Sequence, residues 1–190
     1  FSVRTGIHAM ELSLRQQFRR YIADVASWQP IAWRKPVLWT QRLLDLPALY
    51  HLLMGEMAPA WMRDDPVLKP FATDNLRARL EALQESDCAP LVQTWQAGLP
   101  LLDGWRQRWR TLWPRVSSTT AAPLERLEVR LQRHLRSLRE NGGAERSQLA
   151  CQLLAETLAY EFRRHTHQPA AAFLHLALIA LDLERLRAGL

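Results

Sequence analysis

Lysine is nearly missing from this chain: of 25 basic residues only Lys35 and Lys69 are lysines, and the rest are arginines. Positive charge is therefore carried by a planar guanidinium that stays ionised and forks onto carboxylates and phosphates. β-Branched residues are sparse, and no useful length of chain alternates apolar with polar residues, which argues against a sheet-built core. There are two cysteines, Cys88 and Cys151, without CxxC or a nearby Cys–His spacing. This points away from a disulfide scaffold or zinc ribbon and toward two small hydrophobic thiols in a reducing compartment. Glycine-rich phosphate loops, a GxSxG elbow and HExxH are also missing. The longest apolar stretch, Ala170 to Leu181, would span about 18 Å as a helix, against about 30 Å for a bilayer core. It reads instead as a central buried helix, or one covered by another subunit. The opening FSVRTGIHAM has no apolar h-region, so no secretory signal is expected; Met10 is a candidate native start, and the expected location is cytoplasmic.

What remains is helical. A chain of 190 residues with 48% hydrophobic and 23% charged residues suits one domain or two small lobes with a core. Leu14, Phe18, Tyr21, Ile22 and Val25 recur at three- and four-residue steps and predict a helix over 10–27. WQPIAWRKP (28–36) is expected to break it. A second helix is expected over 36–54, interrupted at Pro47, with Asp45 capping the second half and Gly55 as its stop. Residues 56–72 read as a connection in which DDP (64–66) supplies a turn and cap. Thr73 is the expected N-cap of a helix carrying Leu76, Leu80 and Leu83. Short helices follow over 90–97 and 101–113.

All eight tryptophans and nine of the eleven prolines precede SSTTAAP (117–123), the expected hinge. Three longer helices are predicted at 123–140, 145–167 and 169–188, divided by NGG (141–143) and Gln168–Pro169. The fold class is thus all-α: a bundle of about seven to nine helices in two packed lobes, 10–116 and 124–190.

Three stretches are candidates for chemistry. LLDGWRQRWRTLWPR (101–115) carries three tryptophans and four arginines. On a helix Leu101, Leu102, Trp105, Trp109, Leu112, Trp113 and Val116 fall in one arc of about 120°, flanked by Arg106 and Arg110 on one side and Arg108 and Arg115 on the other. The rings share their face with Leu and Val, so the pattern favours a packed stripe with snorkelling arginines over a base-stacking platform. LERLEVRLQRHLRSLRE (124–140) has a seam of Leu124, Leu127, Leu131, Leu135 and Leu138 that demands a partner helix. Arg126, Arg130, Arg133, Arg136 and Arg139 cover much of the remainder, against Glu125, Glu128 and Glu140. EFRRHTHQ places Glu161 and His165 on one helical face, a little over a turn after Glu156. HTH reads as end-of-helix dipole chemistry rather than a metal site, and His175 as a hydrogen-bonded core histidine.

The ending FLHLALIALDLERLR, with the early stretch LSLRQQFRRYIADVASWQPIAWRKPVLWTQRLLDLPALYHLLMG, resembles the C/d central-rotor subunit of V/A-type rotary ATPases. That resemblance implies an all-helical, non-enzymatic protein coupling a rotor ring to a central stalk. This chain is much shorter than that three-lobed subunit, and no residue role is carried over from it.

The residues therefore lead to a non-catalytic helical interaction or assembly subunit of a larger complex, binding another protein subunit with an acidic face. The formal charge of +6 and pI near 10.1 suit such a partner. Arg106, Arg110, Arg126, Arg130 and Arg133 are the candidate partner-binding residues; no catalytic, cofactor-binding or metal-ligating residue, and no cofactor, is expected. The alternatives are an Arg-rich nucleic-acid-binding protein and a helical enzyme or ligand carrier with a Trp- and His-lined pocket.

Overall fold

A computed structural model of the chain describes residues 3–140 and 144–188, and among the side chains 6, 8–134 and 148–185. Every regular element among the described residues is helical. In order they are α1 (Val3–Ser27), α2 (Ile31–Trp39), α3 (Gln41–Leu53), α4 (Ala60–Asp64), α5 (Leu76–Gln84), α6 (Ala89–Gln96), α7 (Leu101–Thr111), α8 (Ser118–Glu140), α9 (Ala144–Arg164) and α10 (Ala170–Ala188). A single 3-10 turn occupies Lys69–Phe71. The chain divides into two compact units, 1–27 with 34–113 and 28–33 with 114–190. The expected NGG break (141–143) lies outside the described residues.

Proline does less than expected. The expected break holds at 28–30, where α1 has ended at Ser27 and α2 begins at Ile31, but the rest of WQPIAWRKP is helical, and Pro36, Pro47 and Pro123 all sit inside helices. Each is the sixth or seventh residue of its helix, so its missing N–H forfeits one bond to the first turn, although its fixed φ still suits the helix. Residues 117–123 are likewise not an extended hinge but the cap and opening turns of α8. The Ser117 carbonyl accepts from the amides of Thr120 and Ala121 at 3.1 and 3.0 Å. Glycine stops helices as predicted: Gly55 follows α3 with φ of 82°, a left-handed conformation open to glycine without a Cβ penalty. The cap of α5 is Asn75 rather than Thr73, its Oδ1 accepting from the amides of Arg77 and Ala78.

In the first unit Phe18, Ile22 and Val25 of α1, Leu49, Leu52 and Leu53 of α3, Leu83 of α5 and Leu91 and Val92 of α6 are buried. On α5 the inner face is shared with Arg79, so Leu76 is left exposed. The buried Arg79 guanidinium donates to the carbonyls of Leu52 at 2.6 Å, Glu56 at 3.1 Å and Thr73 at 2.6 Å. It thereby satisfies orphan acceptors at the end of α3 and pins the loop to α5.

In the second unit α8, α9 and α10 pack together. Leu124 and Leu127 of α8, Leu154 and Leu158 of α9 and Phe173, Leu174 and Leu176 of α10 are buried. The side chains of Leu135 and Leu138, expected to continue the seam, lie outside the described residues, as do those of Arg136, Arg139 and Glu140. The expectation of a central α10 holds: Ala170 to Leu176 is mostly buried, and Ala177 to Ala180 is half-buried. No described helix is long and apolar enough to cross a membrane. Within this unit Trp33 meets Phe173 edge-on, with ring centroids 6.0 Å apart.

Candidate functional site

The tryptophan stripe of α7 points inward. Trp105 and Trp109 are only 4% and 3% exposed. Their rings stack at 5.4 Å, and Trp113 meets Trp109 edge-on at 4.9 Å. Trp105 also forms a reciprocal clasp with α2. The Trp39 indole N–H donates to the Trp105 carbonyl at 3.1 Å, and the Trp105 indole N–H to the Trp39 carbonyl at 3.2 Å. Each ring thus satisfies its polar edge while burying its apolar body. Gly104 permits α7 to press on α6: a Cβ there would collide with Thr94 Oγ1 and lie 2.9 Å from Thr94 Cβ and 3.1 Å from the Pro90 carbonyl. Because α7 ends at Thr111, the helical arc does not extend to Val116, which is exposed. Of the flanking arginines, Arg106 is half-buried and donates to Asp103 at 3.0 Å, while Arg110 is exposed.

The arginines of α8 have three different surroundings. Arg130 donates to Glu161 of α9 at 3.0 Å. Arg126 is exposed and lies 3.3 Å from the His165 imidazole, whose Nε2 is also 3.2 Å from Glu161. Arg133 is exposed. Glu161 is buried and accepts from Arg130, so Arg130 serves the α8–α9 pairing as well as any outward contact. Glu128, expected on the outer face, is buried too. Glu156 stands apart from this cluster, exposed and accepting from Gln152 at 3.2 Å. Among the described residues no group of three or more His, Cys, Asp or Glu side chains could hold a metal ion.

One turn further along α8, His134 Nε2 approaches Cys151 Sγ at 3.6 Å. Burial pushes the His134 pKa down and the Cys151 pKa up. The pair is therefore a thiol beside a neutral imidazole, the reverse of the charge state an activated cysteine needs. His175 is half-buried and tilted against Phe162 at 5.9 Å.

The largest charged constellation was not anticipated from sequence. Asp45 of α3 is fully buried and accepts from Arg15 at 3.2 Å, Arg19 at 2.6 Å and Arg42 at 3.2 Å. Asp65, also fully buried, accepts from Arg19 at 2.7 and 2.9 Å and from the Val67 amide at 2.9 Å. It is the cap expected of DDP, and an ion-pair partner besides. Arg42 forks onto Asp87 at 2.7 and 2.8 Å, Arg15 reaches Glu11 at 2.6 Å, and the Arg15 guanidinium lies 4.4 Å over the Trp61 ring. Burial disfavours the Arg19 charge, but the Asp65 hydrogen bond and the Asp45 charge more than offset this, leaving its pKa raised. Arg42 is raised as well: burial opposes its charge, and neighbouring Cys88, Asp87 and Asp45 outweigh that. Next to it, burial pushes the Cys88 thiol up to about 11. Asp45 is thus not a helix cap but the hub of the network. The only local signal was its i, i+3 spacing from Arg42; Arg15, Arg19 and Asp65 come from other parts of the chain.

A shallow cleft beside the network is lined by Gln16, Arg19, Arg20, Pro66 and Val67, not by indoles or imidazoles. The Arg19 guanidinium on its wall is already bound to Asp45 and Asp65. No family model, curated protein or solved structure matches this chain.

Proposed function

We propose that this protein is a helical assembly subunit of a larger, cytoplasmic protein complex, acting by binding rather than by chemistry of its own. One observation carries the reading. Leu149, Leu153 and Tyr160 of α9 are each more than half exposed, and with Arg164 they occupy one strip of about 60° on the helix. The Arg164 guanidinium lies 5.6 Å from the Tyr160 ring centroid, so the strip ends in an aromatic–cation pair of the kind that anchors interfaces. Val129 of α8 adds a further exposed apolar side chain. A surface helix ordinarily turns such a face inward. Exposed here, the strip suits the apolar face of another subunit's helix, with Arg126 and Arg133 of α8 offered to acidic residues on the same partner. The likeness of the chain's ending to a rotor-seating subunit favours the same class of role.

Affinity purification from the native source, followed by mass spectrometry, tests the proposal. The expected result is a stoichiometric protein partner that is lost with Leu149→Asp and Leu153→Asp while thermal melting is retained. A monomer without a partner would overturn it. So would RNA or DNA binding that weakens steeply with salt and is abolished by Arg126→Ala with Arg133→Ala, which would establish the nucleic-acid alternative instead.

A further inference from the structure

Two methionines stand outside the core where α3 ends: Met54 is 55% and Met57 73% exposed. The turn that carries them is closed by its own backbone. The Gly55 amide donates to the Leu52 carbonyl at 3.1 Å, and the Glu56 amide to the His51 carbonyl at 3.3 Å. Arg79 grips the same turn from α5 through the carbonyls of Leu52 and Glu56, on either side of Met54. The His51 imidazole reaches across it, its Nε2 lying 3.0 Å from the Met57 carbonyl. A carbonyl only accepts, so Nε2 carries the proton, and Nδ1 of the neutral ring keeps its lone pair. Met54, still helical in its backbone angles, follows His51 by three positions, which sets their Cβ atoms about 5–6 Å apart. HLLMGEM (51–57) thus gathers an imidazole and two flexible thioethers on one pinned turn of the first unit.

We propose that His51, Met54 and Met57 form a binding site for a soft monovalent metal ion of the copper(I) class, a role beyond the assembly reading and independent of it. A thioether is an uncharged, polarisable donor that soft ions prefer and that zinc, magnesium and calcium pass over. A metal-bound histidine ordinarily gives its other ring N–H to a carboxylate or a backbone carbonyl, which fixes its tautomer and orientation. The Met57 carbonyl does this for His51 before any metal arrives. Exposure of both methionines gives the ion its entry path. An apolar protein partner would use the same two side chains as greasy surface and leave the fixed imidazole without a role. Leucine would serve that partner equally well. A metal needs the sulfur atoms.

Silver(I), a soft monovalent ion that stays in one oxidation state, is the probe. Protein carrying Cys151→Ser, which removes the half-buried thiol from competition, is labelled with carbon-13 at its methionine methyls and titrated with silver nitrate. The Met54 and Met57 resonances are expected to shift together and to saturate at one equivalent. Buried Met62 should not respond, and Met10, a single exposed thioether on α1, should respond only at far higher silver. Zinc(II) should move none of them. Loss of the hydrogen-bond partner of a metal ligand lowers affinity about 10–100-fold, so loss of the ligand itself should do at least as much. His51→Gln is therefore expected to weaken silver binding at least about tenfold, and Met54→Leu with Met57→Leu at least about 100-fold. Thermal melting of the leucine variant should be unchanged, because both positions are exposed. Leu149→Asp on α9 should leave silver binding intact while removing the protein partner, which separates this proposal from the assembly reading. Resonances of Met54 and Met57 that do not move, or that move only as readily as that of Met10, overturn it. Wild-type silver affinity in the double leucine variant overturns it equally.

Discussion

The two units solve the same problem, holding helices together, by different chemistry. Beside the 25-residue α1, the first is built from short helices such as the 5 residues of α4, the 9 of α5 and the 8 of α6. None of these can bury a long apolar face, and the unit is tied instead by guanidinium groups: Arg19 bridges Asp45 and Asp65, Arg42 bridges Asp45 and Asp87, and Arg79 gathers carbonyls. The second has helices of 23, 21 and 19 residues and a core of leucine, alanine and phenylalanine, with one buried acidic hub at Glu161. The difference teaches that arginine excess is not one property. In the first unit many arginines are internal mortar, because a buried fork with several acceptors specifies geometry as well as attraction. In the second the described arginines lie mainly at the surface.

The comparison breaks most sharply at Asp45. Asp45→Ala leaves Arg15, Arg19 and Arg42 short of a buried counter-charge and should cost about 3–5 kcal/mol in denaturant unfolding. A loss below about 1 kcal/mol would mean the network is incidental. Next is the pH response of Cys88. Its thiol titrates at about 11 in the fold, against an ordinary value of 9.0. The folded form thus holds its proton longer than the unfolded chain. The associated stability is complete below pH 9 and should fall by about 3 kcal/mol as pH rises toward 11. Cys88→Ala should flatten that part of the pH–stability curve, and an unchanged slope would assign it to other groups. Gly104→Ala should cost about 1–3 kcal/mol through overpacking of α6 against α7, read as a lowered melting temperature. The smallest effect is expected in the second unit. Arg130→Ala removes the guanidinium donor from Glu161 and should cost about 1–2 kcal/mol. If Arg130→Ala proved as damaging as Asp45→Ala, the contrast between the units would collapse.

Local pattern made much of this legible. The α1, α5, α7 and α8 periodicities were readable because each helix repeats its apolar residues at its own pitch, and Gly55 announced a stop through its conformational freedom. The inward turn of Trp105 and Trp109 followed from the leucines sharing their face. Proline was a partial guide: 28–30 does separate α1 from α2, but Pro36, Pro47 and Pro123 stand inside helices, where tertiary packing overrides their local penalty. Of the candidate arginines, Arg110, Arg126 and Arg133 are exposed as expected; Arg106 and Arg130 proved to be paired with Asp103 and Glu161. Asp103, three positions before Arg106, is a local signal of that pairing, whereas nothing local distinguishes Arg130 from a solvated arginine.

Residue order alone thus determined that the chain is helical, roughly where its helices run and which of their faces are apolar, because these depend on neighbours three or four positions apart. Which charges would be buried was decided only by the tertiary structure. Asp45 meets Arg15 and Arg19 from 30 and 26 positions away, and Asp65 meets Arg19 across 46. A carboxylate enters a core only when such distant donors converge on it, and that convergence exists only once the helices have packed.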